Sequence, residues 1–112
     1  MPTVNIYSSE EGWNDTITSI LPELRALLAH ELTCGERRLM PHEISLRLIP
    51  VSGSLTISPI EIEIFAHEYR ARVEQSDNLC LVVREFVKDK LPLVADVRVW
   101  LILAKLGHSW EE

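Results

Sequence analysis

The sequence predicts an α/β protein, a two-layer β-α-β-β-α-β sandwich with two helices on one face of a four-stranded mixed sheet. The hydrophobic patterns alternate between strand and helix periods in that order. An internal repeat agrees with this order, because residues 2–50 and 59–104 each open with a proline and run through a strand, a helix and a second strand. The closing strands, EISLRLI and DVRVWLI, superpose without gaps and bring Ser45 opposite Arg98. We therefore expect residues 1–112 to form one domain built from a duplicated β-α-β unit.

Each element is predicted from its own pattern. Alternation of apolar and polar residues predicts strands, and apolar residues at three- and four-residue spacing predict amphipathic helices. The predicted elements are strands over residues 4–7, 44–48, 60–65 and 97–103, with helices over residues 18–32 and 75–90. Because one layer of helices covers only one side, the other face of the sheet is expected to line an interface or a cavity.

The ends of the helices have their own signals. Thr18 or Ser19 is expected to cap the first helix, and Pro22 is expected in its first turn, where the missing N–H is tolerated. Ser76 or Asp77 is expected to cap the second helix. Both helices should therefore begin immediately before their leucine- and valine-rich stripes.

The composition narrows the classes of function. The formal net charge is -6 and the pI is about 5.2, which disfavours a nucleic-acid partner, because phosphates require a basic face. No apolar run approaches the ~18 residues of a membrane span, and the first thirty residues are too polar for a secretory signal. We therefore expect a cytoplasmic protein without a membrane partner.

Potential metal ligands do not form a recognisable site. Cys34 and Cys80 are far apart in the sequence, and we expect both to be reduced thiols. Three His-Glu pairs lie on different elements and lack the HExxH spacing, so no metal is expected. Glu61 and Glu63 share one face of the third strand, where pairing with arginines across strands is expected.

Pro2 is the candidate catalytic residue. If Met1 is removed, the ring nitrogen of Pro2 becomes a secondary amine and therefore a base. Terminal amines have pKa values near ~7.7–8.0 in model compounds, and burial or nearby guanidinium groups lower them. Pro59 cannot act in this way because its nitrogen is an amide. Arginines within an acidic chain, such as Arg98 in a strand, indicate a local positive pocket for a small anion.

These residues resemble the tautomerase superfamily, which includes 4-oxalocrotonate tautomerase, 5-carboxymethyl-2-hydroxymuconate isomerase and macrophage migration inhibitory factor. The similarity lies in the opening MP followed by a strand and in the segments PIEIEIF, REF, LPLVADVRV and AKLGH. It covers most of the chain, with gaps on both sides of the second helix. The double-length subunit resembles the isomerase and cytokine-like branches.

The resemblance implies a homotrimer with an active site at each subunit boundary and no cofactor. Pro2 would be the general base, and Arg98, in VRV, matches a position that supplies an arginine from a neighbouring subunit. Arg70 or Arg72 falls where another arginine binds the substrate carboxylate, and Trp110 falls near an aromatic wall. The implied function is a keto-enol tautomerase or isomerase acting on a small 2-hydroxydienoate or 2-oxo acid.

Two alternatives belong to a different class. The same order of elements fits a ferredoxin-like binding domain in which Pro2 has no chemical role. A tautomerase fold that has kept its trimer without catalysis would serve as an interaction protein.

Ser45 stands where the muconate isomerase branch has an arginine, so the resemblance does not identify the substrate. Decarboxylation or hydration of a small unsaturated acid would use a similar proline and arginines.

Overall fold

The protein is described by a computed structural model that covers residues 2–9, 11–33, 38–52 and 58–105. Its strands are β1 (Thr3–Ser8), β2 (Ser45–Pro50), β3 (Ile60–His67) and β4 (Val97–Ala104). Its helices are α1 (Asn14–Leu32), α2 (Arg70–Glu74) and α3 (Ser76–Lys90), with short 3-10 turns at Glu11–Trp13 and Pro41–Glu43. All six predicted elements are present.

The four strands form one mixed sheet in the order β2-β1-β3-β4. β1 runs parallel to β2, β3 runs parallel to β4, and the central pair β1 and β3 is antiparallel. The strands of each β-α-β unit are therefore neighbours. This arrangement differs from the ferredoxin-like alternative, in which the β-α-β unit is split by an intervening strand.

One face of the sheet is covered by α1 and α3, which contact each other and bury a continuous apolar layer. Alternate strand residues point into this layer, so a register error of one residue would expose them. The buried layer contains Val4, Ile6, Ile60, Ile62 and Ile64 from the sheet, Leu24, Leu28 and Leu32 from α1, and Leu79, Val83 and Val87 from α3. The predicted α/β sandwich is confirmed.

Helix α1 begins four residues earlier than predicted. It starts at Asn14, so Pro22 lies inside the helix rather than in its first turn, and neither Thr18 nor Ser19 is the cap. Ile17 and Ile20 extend the buried stripe and are 2% and 7% exposed. Burying two isoleucines contributes about 3–6 kcal/mol, enough to offset the ~3 kcal/mol penalty of an interior proline. Trp13 immediately precedes the helix and packs against the core.

The segment between β3 and α3 also differs from its prediction. The short helix α2 occupies part of the expected loop, and Gln75 is the residue that precedes α3. Ser76 does not cap α3, because its hydroxyl donates to the C=O of Val73 at 2.6 Å, and no side chain caps this end. The predicted end of the helix is confirmed, since the N–H of Leu91 still bonds to Val87 and the helix stops before Pro92.

The two parallel ladders define how the halves of the chain correspond. Thr3 pairs with Ser45 in the first ladder, and Glu61 pairs with Arg98 in the second. Superposing Ser45 on Arg98 therefore places Thr3 on Glu61 and Pro2 on Ile60. By this criterion the spatial counterpart of Pro2 is Ile60 and not its neighbour Pro59.

Candidate functional site

Pro2 lies buried at one end of the sheet. It directly precedes Thr3, which pairs with Phe65 of β3, and its C=O accepts a hydrogen bond of 3.0 Å from the N–H of Ser45 in β2. Because α1 returns antiparallel to β1, the last residue of α1, Leu32, is at this same end. Pro2, the candidate catalytic residue, therefore lies between the starts of β1 and β2 and the end of β3.

Arg72 is buried at this end and is only 9% exposed. Its Nε donates to the C=O of Leu32 at 3.1 Å, and its Nη1 donates to the C=O of His67 at 2.9 Å. Its guanidinium carbon also lies 4.9 Å from the ring centroid of Tyr69, a cation–π contact. Within the described parts of the chain no carboxylate forms an ion pair with it. A guanidinium held in this way is a fixed positive charge near the start of β1.

Arg70, two residues earlier, is placed differently. Its side chain is 93% exposed, and its Nε pairs with Glu74 at 3.0 Å on the surface of α2. Tyr69 is also exposed, and its ring packs against His67 with 4.9 Å between the centroids. Of the two arginines that the sequence left open, Arg72 is the one bonded to the strand that pairs with β1.

Arg98 lies at the opposite end of the sheet from Pro2. It pairs with Glu61, which in turn lies level with Tyr7 near the end of β1. Its side chain is half exposed, and its Nε is 3.5 Å from Asp96. The hydroxyl of Ser58 donates to the same carboxylate at 2.9 Å, and this bond lowers the pKa of Asp96, with Arg98 adding to the effect. Pro2 and Arg98 of the same chain therefore do not share a site.

The face of the sheet opposite the helices carries a row of polar and aromatic side chains. Glu63 accepts a 2.7 Å hydrogen bond from the hydroxyl of Tyr7, and Glu61 accepts a 2.8 Å bond from Nε1 of Trp100. Arg98 lies opposite Glu61 in the β3–β4 ladder, but its guanidinium contacts Asp96. Among the described residues the expected ion pairs of these carboxylates with arginines are absent, and aromatic donors on the neighbouring strands bind both carboxylates instead. The bond to Glu63 raises the pKa of Tyr7. The amide oxygen of Asn5 lies buried on this face without a hydrogen-bond partner.

A contact that the sequence analysis missed joins each long helix to the start of a strand. Nε of Arg25 in α1 donates to the C=O of Ile44 at 3.0 Å, and Nε of Arg84 in α3 donates to the C=O of Val97 at 3.2 Å. Ile44 and Val97 occupy equivalent positions in the two parallel ladders. Both helices carry such an arginine, but nothing in the sequence marks Ile44 or Val97 as its partner.

Each of these contacts borders a surface groove. The first groove, about 520 Å³ in volume, is lined by α1, by β2 and by the turn before it, and includes Arg25, Pro22, Pro41 and Ser45. The second, about 390 Å³, runs along β4 and is lined by Arg84, Asp96, Arg98 and Trp100. The second groove holds two guanidinium groups beside an indole, and the carboxylate of Asp96 lies 3.5 Å from Nε of Arg98, so an anion that binds Arg98 there must compete with this contact.

Some predicted residues cannot be placed. Trp110 and Cys34 lie outside the described residues.

Burial raises the pKa of the Cys80 thiol, which lies half-buried on α3. Among the described residues, no three His, Cys, Asp or Glu side chains are grouped as metal ligands, and no helix is both long and apolar enough to span a membrane.

Comparison with known proteins adds information at the level of the fold. No protein-family model matches the sequence, and a search of curated proteins found no match either. Among solved structures, a fused 4-OT described as a symmetric trimer matches 92% of this chain and 87% of its own, with 14% identity and a TM-score of 0.62. A protein named Pt0534, solved after inactivation by 2-oxo-3-pentynoate, matches 92% of this chain and 85% of its own, with 15% identity and a TM-score of 0.66.

A third similar structure is a macrophage migration inhibitory factor-like protein from Entamoeba histolytica. It matches 99% of this chain and 94% of its own, with 12% identity and a TM-score of 0.64. At such identities the similarity concerns the path of the backbone. Together with the β2-β1-β3-β4 sheet and its single layer of helices, these matches show that the chain has the fold of the tautomerase and macrophage migration inhibitory factor superfamily.

Proposed function

We propose that this protein is a keto-enol tautomerase or isomerase of a small 2-hydroxydienoate or 2-oxo acid and works as a homotrimer. The observation that carries the proposal is the burial of Pro2 at the start of β1, close to the strand end to which the buried guanidinium of Arg72 is bonded. A secondary amine among apolar groups and a fixed cation is tuned to remain unprotonated near neutral pH. The amine exists only after Met1 has been removed.

In the proposed reaction the lone pair of the Pro2 nitrogen accepts a proton from the substrate hydroxyl. The electrons of that O–H bond form the carbonyl, and the double bond shifts so that the same proton can be returned from the amine to carbon. Atoms and charge balance over the cycle, and no cofactor is needed. A positioned base of this kind contributes about 100- to 10,000-fold to the rate.

Arg72 is our choice for the substrate-binding arginine at this end. Its Nε and Nη1 are each bonded to a backbone carbonyl, which fixes the plane of the guanidinium. A preorganised cation binds a carboxylate and the developing enolate oxygen without reorganisation during the reaction. The exposed side chain of Arg70 is instead paired with Glu74 and must lose that contact to bind an anion.

We further propose that Arg98 acts in the site of a neighbouring subunit. Its position at the far end of the sheet from Pro2 agrees with this assignment, as does the symmetric trimer named for one structural neighbour. The groove that it lines with Arg84 and Trp100 is open to solvent in a single subunit. Trp110 remains our proposal for an aromatic wall of the same site. The 2-oxo acid that inactivates Pt0534 is of the substrate class proposed here.

The test combines intact mass with an assay of phenylenolpyruvate ketonisation. Protein from its native host should lack one methionine, and Pro2→Ala should reduce kcat/KM by about 100-fold or more. Pro59→Ala is the matched control, because the nitrogen of Pro59 is an amide, and it should keep the parent activity. A retained Met1, or Pro2→Ala protein as active as its parent, would overturn the catalytic proposal and favour the trimeric interaction protein.

A further inference from the structure

A single peptide group connects Arg25 to Pro2. The C=O of the Ile44–Ser45 peptide accepts the hydrogen bond from Nε of Arg25 at 3.0 Å, and the N–H of the same peptide donates to the C=O of Pro2 at 3.0 Å. The guanidinium of α1 is thus two hydrogen bonds away from the carbonyl of the residue that carries the proposed base. No other described arginine reaches Pro2 through one peptide.

We propose that Arg25 is a positioning residue for the reaction assigned above, acting on Pro2 through the Ile44–Ser45 peptide. This inference rests on the proposed function. A cation bonded to an amide oxygen polarises the amide and makes its N–H a stronger donor, an effect of about 10–30% per bond in a chain. The stronger bond to the Pro2 carbonyl fixes the ring and draws electron density away from its nitrogen.

The surroundings of Arg25 preserve the effect of its charge. Its side chain is half-buried, and no carboxylate among residues 2–9, 11–33, 38–52 and 58–105 forms an ion pair with it. The groove that it lines is otherwise walled largely by Leu21, Pro22, Pro41 and Ile44, which are apolar. An unneutralised cation in such surroundings disfavours a second positive charge nearby. Arg25 should therefore favour the unprotonated form of the Pro2 amine.

Arg84 provides an internal contrast. It makes the corresponding bond to the C=O of Val97, but the peptide that follows lies against β3, where Val97 and Arg98 pair with Ile60 and Glu61. No terminal amine lies at that position. The proposed trimer, however, brings the groove of Arg84 and Arg98 to the Pro2 of a neighbouring subunit, so Arg84→Gln is not a control for net charge. Lys88 of α3 lines neither groove, and Lys88→Gln, which also removes one positive charge, should leave the titration of the Pro2 amine unchanged.

The experiment measures the Pro2 amine directly and through catalysis. The Pro2 amine is titrated by NMR in protein labelled with ¹⁵N-proline, for the parent and for the variants Arg25→Gln, Arg25→Met, Arg25→Lys and Lys88→Gln. The pH dependence of kcat/KM is measured for the same proteins with phenylenolpyruvate. In Arg25→Gln and Arg25→Met, the titration midpoint of the Pro2 amine should rise by about half a pH unit. The acidic limb of the kcat/KM profile should move by the same amount, which lowers kcat/KM about threefold at pH values below the midpoint. Arg25→Lys keeps the charge and should keep the parent midpoint.

The outcomes separate this inference from the proposed function. Neutral variants that fold, remain trimeric and titrate like the parent would overturn the role of Arg25, even if Pro2→Ala abolished activity. A midpoint raised equally by Lys88→Gln would also overturn it, because the effect would then be one of net charge. If the parent lacks Pro2-dependent activity, the proposed function fails, and the NMR midpoints still decide whether Arg25 acts on Pro2.

Discussion

Pro2 and Arg98 lie at opposite ends of one sheet. The residue after Pro2, Thr3, is level with Ile102 across β3, and Ile102 is four residues from Arg98 along β4. Four strand residues span about 13 Å, and the two residues also belong to different strands. No movement of side chains alone brings a guanidinium and an amine together over that distance. A site that contains both must therefore be shared between subunits.

Mixing two inactive variants tests this arrangement. Pro2→Ala and Arg98→Ala proteins, combined in equal amounts, unfolded and refolded together, should regain about a quarter of the parent activity, because one boundary in four pairs an intact Pro2 with an intact Arg98. Each variant refolded alone should stay at its own low activity. Absence of any recovery in mixed trimers would place Arg98 outside the site or within the same subunit as its proline.

Arg72 and Arg70 should differ sharply in their contribution to stability. Arg72→Met leaves the carbonyls of Leu32 and His67 without their charged donor, so we expect a loss of about 2–4 kcal/mol in the free energy of unfolding. Arg70→Met removes only an exposed pair with Glu74 and should cost at most about 0.5 kcal/mol. Urea denaturation of both variants gives the comparison.

Activity separates the two roles further. If Arg72 binds the carboxylate, Arg72→Lys should raise KM for phenylenolpyruvate about tenfold or more even where the protein remains folded, since an ammonium cannot reproduce the fixed guanidinium plane. Arg70→Lys should leave KM within about twofold of the parent. The opposite result would assign the substrate contact to Arg70.

The sequence predicted the sheet and its helices because their patterns are determined by burial. Alternation in IEIEIF and the leucine stripe of α1 reflect which side chains enter the core, and both are visible without a structure. The start of α1 was missed because Pro22 is a strong local signal, whereas the burial of Ile17 and Ile20 depends on the sheet beneath them. Local propensity was overridden by packing.

The candidate site was predicted less completely than the fold. Pro2 could be named as a candidate from its position, and the proposal of Arg72 over Arg70 as the substrate-binding arginine required the path of the chain after β3. Arg25 could not be found, since its role depends on a hydrogen bond to Ile44, a residue nineteen positions away. Contacts of an arginine with backbone carbonyls leave no pattern in the residues that supply the carbonyls.

Pro22 offers a test of the packing argument. Because Pro22 has no N–H, the C=O of Thr18 lacks its helical partner, and Pro22→Ala should restore that bond. The interior proline costs about 3 kcal/mol, and the greater flexibility of the unfolded Pro22→Ala chain offsets about 0.4–1 kcal/mol of that gain. We therefore expect a net stabilisation of about 2–2.6 kcal/mol in urea denaturation. Pro92→Ala, which follows the end of α3, is the matched control and should give no stabilisation. Equal effects of both variants would contradict an interior proline penalty.

The pair Tyr7 and Glu63 predicts how stability changes at alkaline pH. The hydrogen bond to the Glu63 carboxylate raises the pKa of Tyr7 above its ordinary value near 10, so the unfolded chain loses this proton more readily than the folded one. The contribution of the pair is therefore complete below pH ~10 and declines as pH rises through the higher folded pKa. The stability difference between the parent and Tyr7→Phe should be constant from pH 7 to 9 and shrink above pH ~10. The Tyr69 ring contacts His67 and Arg72. Tyr69→Phe therefore serves as the control for removing a tyrosine hydroxyl elsewhere in the protein. A difference that grows with pH would show that Glu63 does not hold the Tyr7 proton.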